Sequence, residues 1–151
     1  MAPTRWRYDG VRVIGASELD PNTPQTPGMQ RRAAVTSART GASKLWAGTV
    51  MIEPRARTGA HHHGDLESVI YVVSGIARLR WGESLEYVAE AAAGDFIYVP
   101  PYVPHQEINA SDELRLQCVL ARSGQHGLVV NLDLQAVEAP ELVRWIDDLH
   151  K

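Results

Sequence analysis

The chain has 151 residues, of which 15 are basic and 18 acidic, for a formal net charge of -3. That length suits a single core rather than two of comparable size, and the mixed charge offers no basic stripe for a phosphate backbone, so nucleic acid is not an expected partner. The one cysteine, Cys118, has no internal disulfide partner, and no apolar run approaches the roughly 20 residues of a membrane span, so a cytoplasmic protein with no membrane partner is expected.

Met1 to Gly10 is polar and charged, unlike a signal peptide. Asp20 to Gly28 packs three prolines and a glycine into nine residues, which removes backbone donors and predicts a loop or extended arm. Within it, Thr26 to Arg32 is a candidate lid: Gly28 permits close backbone approach, Met29 offers an adaptable apolar contact, and Arg31 suits an anionic ligand. A linker or dimer arm is the alternative for the same segment.

From Lys44 onward the texture becomes short apolar or alternating runs. Strands are predicted over Leu45 to Ile52, Val69 to Val73, Ile76 to Trp81, Leu85 to Ala89, Phe96 to Val99 and Leu114 to Ala121. Ser74-Gly75 reads as a hairpin turn and Trp81 to Ser84 as a second turn. Leu128 to Leu132 predicts a tail strand, available to cover a sheet edge or to pair with another subunit. Pro140 to Leu149 reads as a short C-terminal helix, with proline first and Leu142, Trp145, Ile146 and Leu149 at helical spacing.

Two runs carry chemistry. In the first, Ala60-His61-His62-His63-Gly64-Asp65-Leu66-Glu67, strand alternation aims His61 and His63 at one point while His62 faces away. Neutral imidazoles with a nearby carboxylate suit Fe, Mn, Zn or Ni. In the second, Pro100, Pro101 and Pro104 stiffen the approach to His105 and make it a third candidate ligand.

These runs resemble the paired motifs of the cupin superfamily. The family's second motif, Gly, five residues, Pro-x-Gly, two residues, His, three residues, Asn, is met by Gly94, Pro100, His105 and Asn109, with Tyr102 in place of the inner glycine. In the first motif Arg55 takes the opening glycine position, His61 and His63 fit, and Gly75 closes the run. Counting back from Gly75 puts Ser68 at the family's glutamate position, with Glu67 one residue early. A bulge after Gly64 would let Glu67 turn inward.

The resemblance implies an all-β fold, the double-stranded β-helix or jelly-roll barrel, here with a short C-terminal helix. It covers one domain over 1–151: N-terminal strands and the proline-rich arm (1–43), the barrel core (44–122), and a C-terminal strand with the short helix (123–151). It implies one divalent metal ion on His61, His63, Glu67 and His105, with Glu67 alternatively a base beside a three-histidine site. Entry of His62 through the same irregularity is a further variant. A homodimer and a small-molecule substrate are the partners it implies.

Arg78 and Arg80 share one face of their strand. If that face is interior they bind an anionic substrate, and if it is exterior they are edge charges. Arg115 and Gln117 pose the same choice, with Gln117 a further substrate candidate. Cys118 is expected to be a small buried residue, and His126 and His150 to lie on the surface. The functional expectation is a metal-dependent small-molecule enzyme, dioxygenase-like with Fe or Mn. Non-redox chemistry (isomerase, lyase or N–N bond formation) with Zn or Ni, and a non-catalytic binding module, are its rivals.

Overall fold

The computed structural model describes residues 2–125 and 128–144. Eleven strands appear among them: β1 (Gln30–Val35), β2 (Leu45–Ile52), β3 (His61–His62), β4 (Ser68–Ser74), β5 (Ile76–Trp81), β6 (Tyr87–Ala92), β7 (Phe96–Val99), β8 (His105–Asn109), β9 (Leu116–Ser123), β10 (Val130–Asn131) and β11 (Glu141–Leu142). They form a five-stranded sheet in the order β1-β2-β9-β4-β7 and a six-stranded sheet in the order β10-β3-β8-β5-β6-β11. Among the described residues, helix is confined to α1 (Ala2–Asp9), α2 (Ser37–Thr40) and one 3₁₀ turn.

Alternation along each strand decides which side chains enter the space between the sheets. On β9, Leu116, Cys118, Leu120 and Arg122 point in. Trp46, Val50 and Ile52 do so on β2, Ile70 and Val72 on β4, and Ala77 and Leu79 on β5. These apolar side chains make one continuous core, and Cys118 takes its expected place in it as a buried free thiol. The polar inward positions, Arg31, Ser68, His61, His63, His105, Glu107 and Arg122, share the same interior.

Three expectations are corrected. Ser74-Gly75 is not a hairpin: β4 belongs to the first sheet and β5 to the second, so the chain crosses between sheets there. Gly75 has φ +88, and a Cβ on it would stand 2.6 Å from the Arg115 carbonyl oxygen, so the crossover needs glycine. Leu85, placed in a strand by its apolar character, instead closes the β5–β6 turn at φ 49 with its side chain buried. The start of the C-terminal helix is strand: Glu141 and Leu142 pair in parallel with Tyr87 and Val88 on the edge of β6. Backbone bonds from Glu141 N to Glu86 O (2.7 Å) and from Val143 N to Val88 O (3.0 Å) outweigh the local helical pattern. The remainder of that helix, from Trp145, lies outside the described residues, as do His126 and His150.

The tail strand follows the first of its two alternatives. Val130 and Asn131 pair with His62 and His61 and cover the edge of the second sheet. The proline-rich arm folds back onto the barrel, where the Gln25 side chain bonds both the N–H and the carbonyl of Arg31, and Thr26 and Met29 are buried.

Candidate metal centre

Strand pairing brings the two histidine runs together. His61 on β3 lies in register with His105 on β8, and their rings stand 4.4 Å apart between centroids. His63 follows two residues after His61 on the same face, with its ring 5.0 Å from His61 and 5.3 Å from His105. One ring nitrogen from each of the three lies within 4.8 Å of the others. All three side chains are buried.

The backbone decides which nitrogen is available. Nδ1 of His61 lies 2.9 Å from the Gly59 carbonyl oxygen, Nδ1 of His63 2.8 Å from that of Leu128, and Nδ1 of His105 2.9 Å from that of Val103. A carbonyl only accepts, so each Nδ1 carries the hydrogen and donates it, and each Nε2 keeps a free lone pair. Burial keeps His63 and His105 neutral: it is the main cause that holds His63 down to about 3, helped by the charge of Arg122, and it also lowers His105. Nε2 of His61 has no hydrogen-bond partner among the described residues. A ring with a fixed tautomer and an available Nε2 lone pair is the ligand state of histidine, and three such nitrogens converging fit one divalent cation.

The carboxylate beside this cluster is not the one the sequence suggested. Glu67 is exposed on the outer side of the barrel, where Oε1 accepts a 2.6 Å hydrogen bond from the Tyr98 hydroxyl. No bulge turns it inward; Ser68 takes the inward position, buried, with its hydroxyl unpartnered among the described residues. Glu107 is the buried acid. It lies two residues after His105 on the same face of β8, and its Oε2 stands 3.5 Å from His61 Nε2, long for a hydrogen bond. Burial alone would raise its carboxyl, but the positive charge of Arg31 opposes that and it stays ionised. The alternation that singled out His61 and His63 also pairs His105 with Glu107, and that was the signal available for it.

His62 turns away, as expected: its Nδ1 accepts from the Gly64 N–H at 2.9 Å. Arg78 and Arg80 take the exterior alternative. Arg78 grips Glu90 Oε1 through Nε and Nη2 at 2.8 and 2.7 Å. Arg80 binds the carbonyls of Leu85 and Val137. The inward positions of β5 belong to Ala77 and Leu79, so neither arginine reaches the interior. Gln117 is likewise exposed on β9, and neighbouring Arg115 pairs with Glu53 outside. Met29 packs in the apolar core, whereas Arg31 points inward and is buried. Arg122, which the sequence reading did not single out, is also buried; it ends the alternating row that begins at Leu116.

Two residues stand where the resembled motifs carry glycine, and both keep the backbone that glycine would supply. Arg55 has φ 65 and Tyr102 has φ 61. The left-handed turn is therefore retained while the side chain has changed.

The cupin-domain family profile matches residues 48–121. No curated protein sequence matches the chain. Among solved structures, the polyketide cyclase RemF from Streptomyces resistomycificus superposes with a TM-score of 0.67 at 19% identity, over 86% of this chain and 89% of that one. A Klebsiella pneumoniae protein described as having a double-stranded β-helix domain gives a TM-score of 0.62 at 17% identity, over 82% of this chain and 98% of that one. Oxalate decarboxylase from Bacillus subtilis, a protein with Mn(II) centres, gives 0.61 at 25% identity; the match covers 75% of this chain and only 30% of the enzyme's.

Proposed function

We propose that this chain, which belongs to the cupin superfamily, is a metal-dependent enzyme acting on a small molecule, with one divalent ion held by His61, His63 and His105. The observation that carries the reading is the shared arrangement of the three rings: each Nδ1 is committed to a backbone carbonyl, so three Nε2 lone pairs are left for one ion. A bound ion would supply Lewis acidity, and with Fe or Mn also redox chemistry.

Glu107 takes the role first assigned to Glu67. Its ionised carboxylate sets a negative charge beside His61, which favours a cation, and Oε2 is free to take up a proton from a substrate. The buried apolar side chains on both sheets exclude bulk water, so these charges act in a low-dielectric interior.

Oxidation with Fe or Mn is the preferred chemistry; the manganese centres of oxalate decarboxylase at 25% identity support the choice of metal. Non-redox chemistry with Zn or Ni is the second reading, favoured by an all-imidazole ligand set that suits those ions equally. Dioxygen uptake by Fe- or Mn-loaded protein, screened over small acids, diketones and phenols, tests the choice: uptake supports oxidation, and turnover without uptake supports the second reading. We also propose the homodimer, to which the outer face of the first sheet offers exposed Val69, Tyr71, Phe96 and Tyr98, and a cytoplasmic location.

A further inference from the structure

We propose that the buried guanidiniums of Arg122 and Arg31, with the hydroxyl of Ser68, form an anion subsite beside the three histidines, and that it takes the carboxylate of a small organic acid. The proposal rests on the reading of the histidines as a metal centre and names the substrate class for it.

The first support is a charge imbalance. Arg31 and Arg122 are 2% and 3% exposed, and Glu107 is the sole buried carboxylate among the described residues. Two buried cations thus face one buried anion, before any metal ion adds to the surplus. No carboxylate forms a salt bridge with either arginine among the described residues. Buried charge without a counter-ion is strongly unfavourable, so this surplus calls for an anion from outside the chain.

The second support is unused hydrogen-bonding capacity. Arg122 Nε and Nη2, Arg31 Nε and Ser68 Oγ have no partner among the described residues. Arg31 is tethered by one bond, Nη1 to the Pro24 carbonyl at 3.2 Å. Trp46 lies under Arg122 with the guanidinium carbon 5.5 Å from the ring centroid. The unpartnered Nε and Nη2 of Arg122 lie on one edge of the guanidinium, the edge that binds a carboxylate in bidentate fashion.

The third support is placement. Ser68, Arg122 and Trp46 occupy one row across β4, β9 and β2. Arg31 and Arg122 share the buried interior with His61, His63 and His105. Ser68 stands where the resembled motif carries glutamate. A carboxylate at that position would face Arg122 across the strand pair; serine removes it and leaves the guanidinium open to a ligand. Without the ion, a monoanion balances the surplus of one charge on the side chains, whereas a phosphate dianion overcompensates it beside Glu107.

Isothermal titration of the full chain with acetate and with inorganic phosphate tests this, run on Mn(II)-loaded and on chelator-treated protein. Acetate should bind once per chain in both states and more tightly than phosphate. Arg122→Gln should weaken acetate by about tenfold or more, the scale of a lost charge-assisted hydrogen bond, with manganese content unchanged. Ser68→Glu, which supplies an internal counter-ion, should abolish acetate binding while preserving the fold, so the test does not depend on Arg122→Gln folding. Equal acetate affinity in wild type and Ser68→Glu, tighter phosphate, or no acetate binding in either state would overturn the subsite. Failure to retain manganese, with acetate binding intact, would instead overturn the metal reading alone.

Discussion

Glu107 Oε2 lies 3.5 Å from His61 Nε2, both buried, and neither atom has a hydrogen-bond partner among the described residues. An ionised acid and a ring lone pair left side by side without a shared hydrogen repel each other, and a cation near both turns that repulsion into attraction. Glu107→Gln keeps the shape and removes the charge. Divalent metal affinity should fall about 10- to 100-fold, the range seen when groups supporting a metal ligand are lost. Competition with a chelator of known affinity measures it, and an unchanged affinity would remove Glu107 from the site.

Glu67 makes the opposite prediction. Its carboxylate is spent on Tyr98 outside the barrel, so Glu67→Gln should retain the full metal content of the wild type. A loss of bound metal in purified Glu67→Gln would show that this side chain reaches the ion.

Asn109 closes the second motif from a buried position. Its Nδ2 donates to the carbonyls of Ile52 (3.0 Å) and Leu114 (2.7 Å), and its Oδ1 accepts from the Ser111 N–H at 2.9 Å. Asn109→Ala strands three backbone groups and should cost about 2–4 kcal/mol. Thermal unfolding should show Tm lowered by roughly 10 °C; a shift of about 2 °C or less would mean the loop is held by other contacts.

Burial, and secondarily the charge of Glu107, push the Cys118 thiol up to about 12. The native thiol is therefore protonated at pH 8 and should resist iodoacetamide until the protein unfolds. The sign for stability follows. Between about 9 and 12 the unfolded chain gives up this proton while the native chain holds it, so stability should fall as pH rises through that window. Rapid labelling of folded protein at pH 8 would contradict the buried position.

The barrel was legible where local pattern and tertiary role coincide. Leu45–Ile52, Ile76–Trp81 and Phe96–Val99 are strands at the bounds their alternation and flanking turns suggest. Ser74-Gly75 was not legible as a crossover, because a tight Gly turn serves a hairpin and a change of sheet equally well, and distant pairing decides between them. Alternation puts Arg78 and Arg80 on one face but does not say which face is inside. The same rule located the histidines and would have located Glu107, had it been carried two residues past His105. For Glu67 the spacing back from Gly75 and the strand's parity both point to Ser68; only residue type favours Glu67, and parity decides the orientation. The C-terminal helix failed because an open sheet edge offered backbone bonds that side-chain periodicity does not register.

The central claim is that His61, His63 and His105 hold a metal ion, and the most direct test is elemental mass spectrometry of tag-free protein purified without added metal, beside His61→Ala and His105→Ala. The wild type should carry close to one divalent ion per chain, and each variant should lose it while keeping the β-rich circular dichroism of the parent. Stoichiometric metal in either variant, or a wild type that remains metal-free after incubation with Mn, Fe, Zn and Ni, would contradict the account.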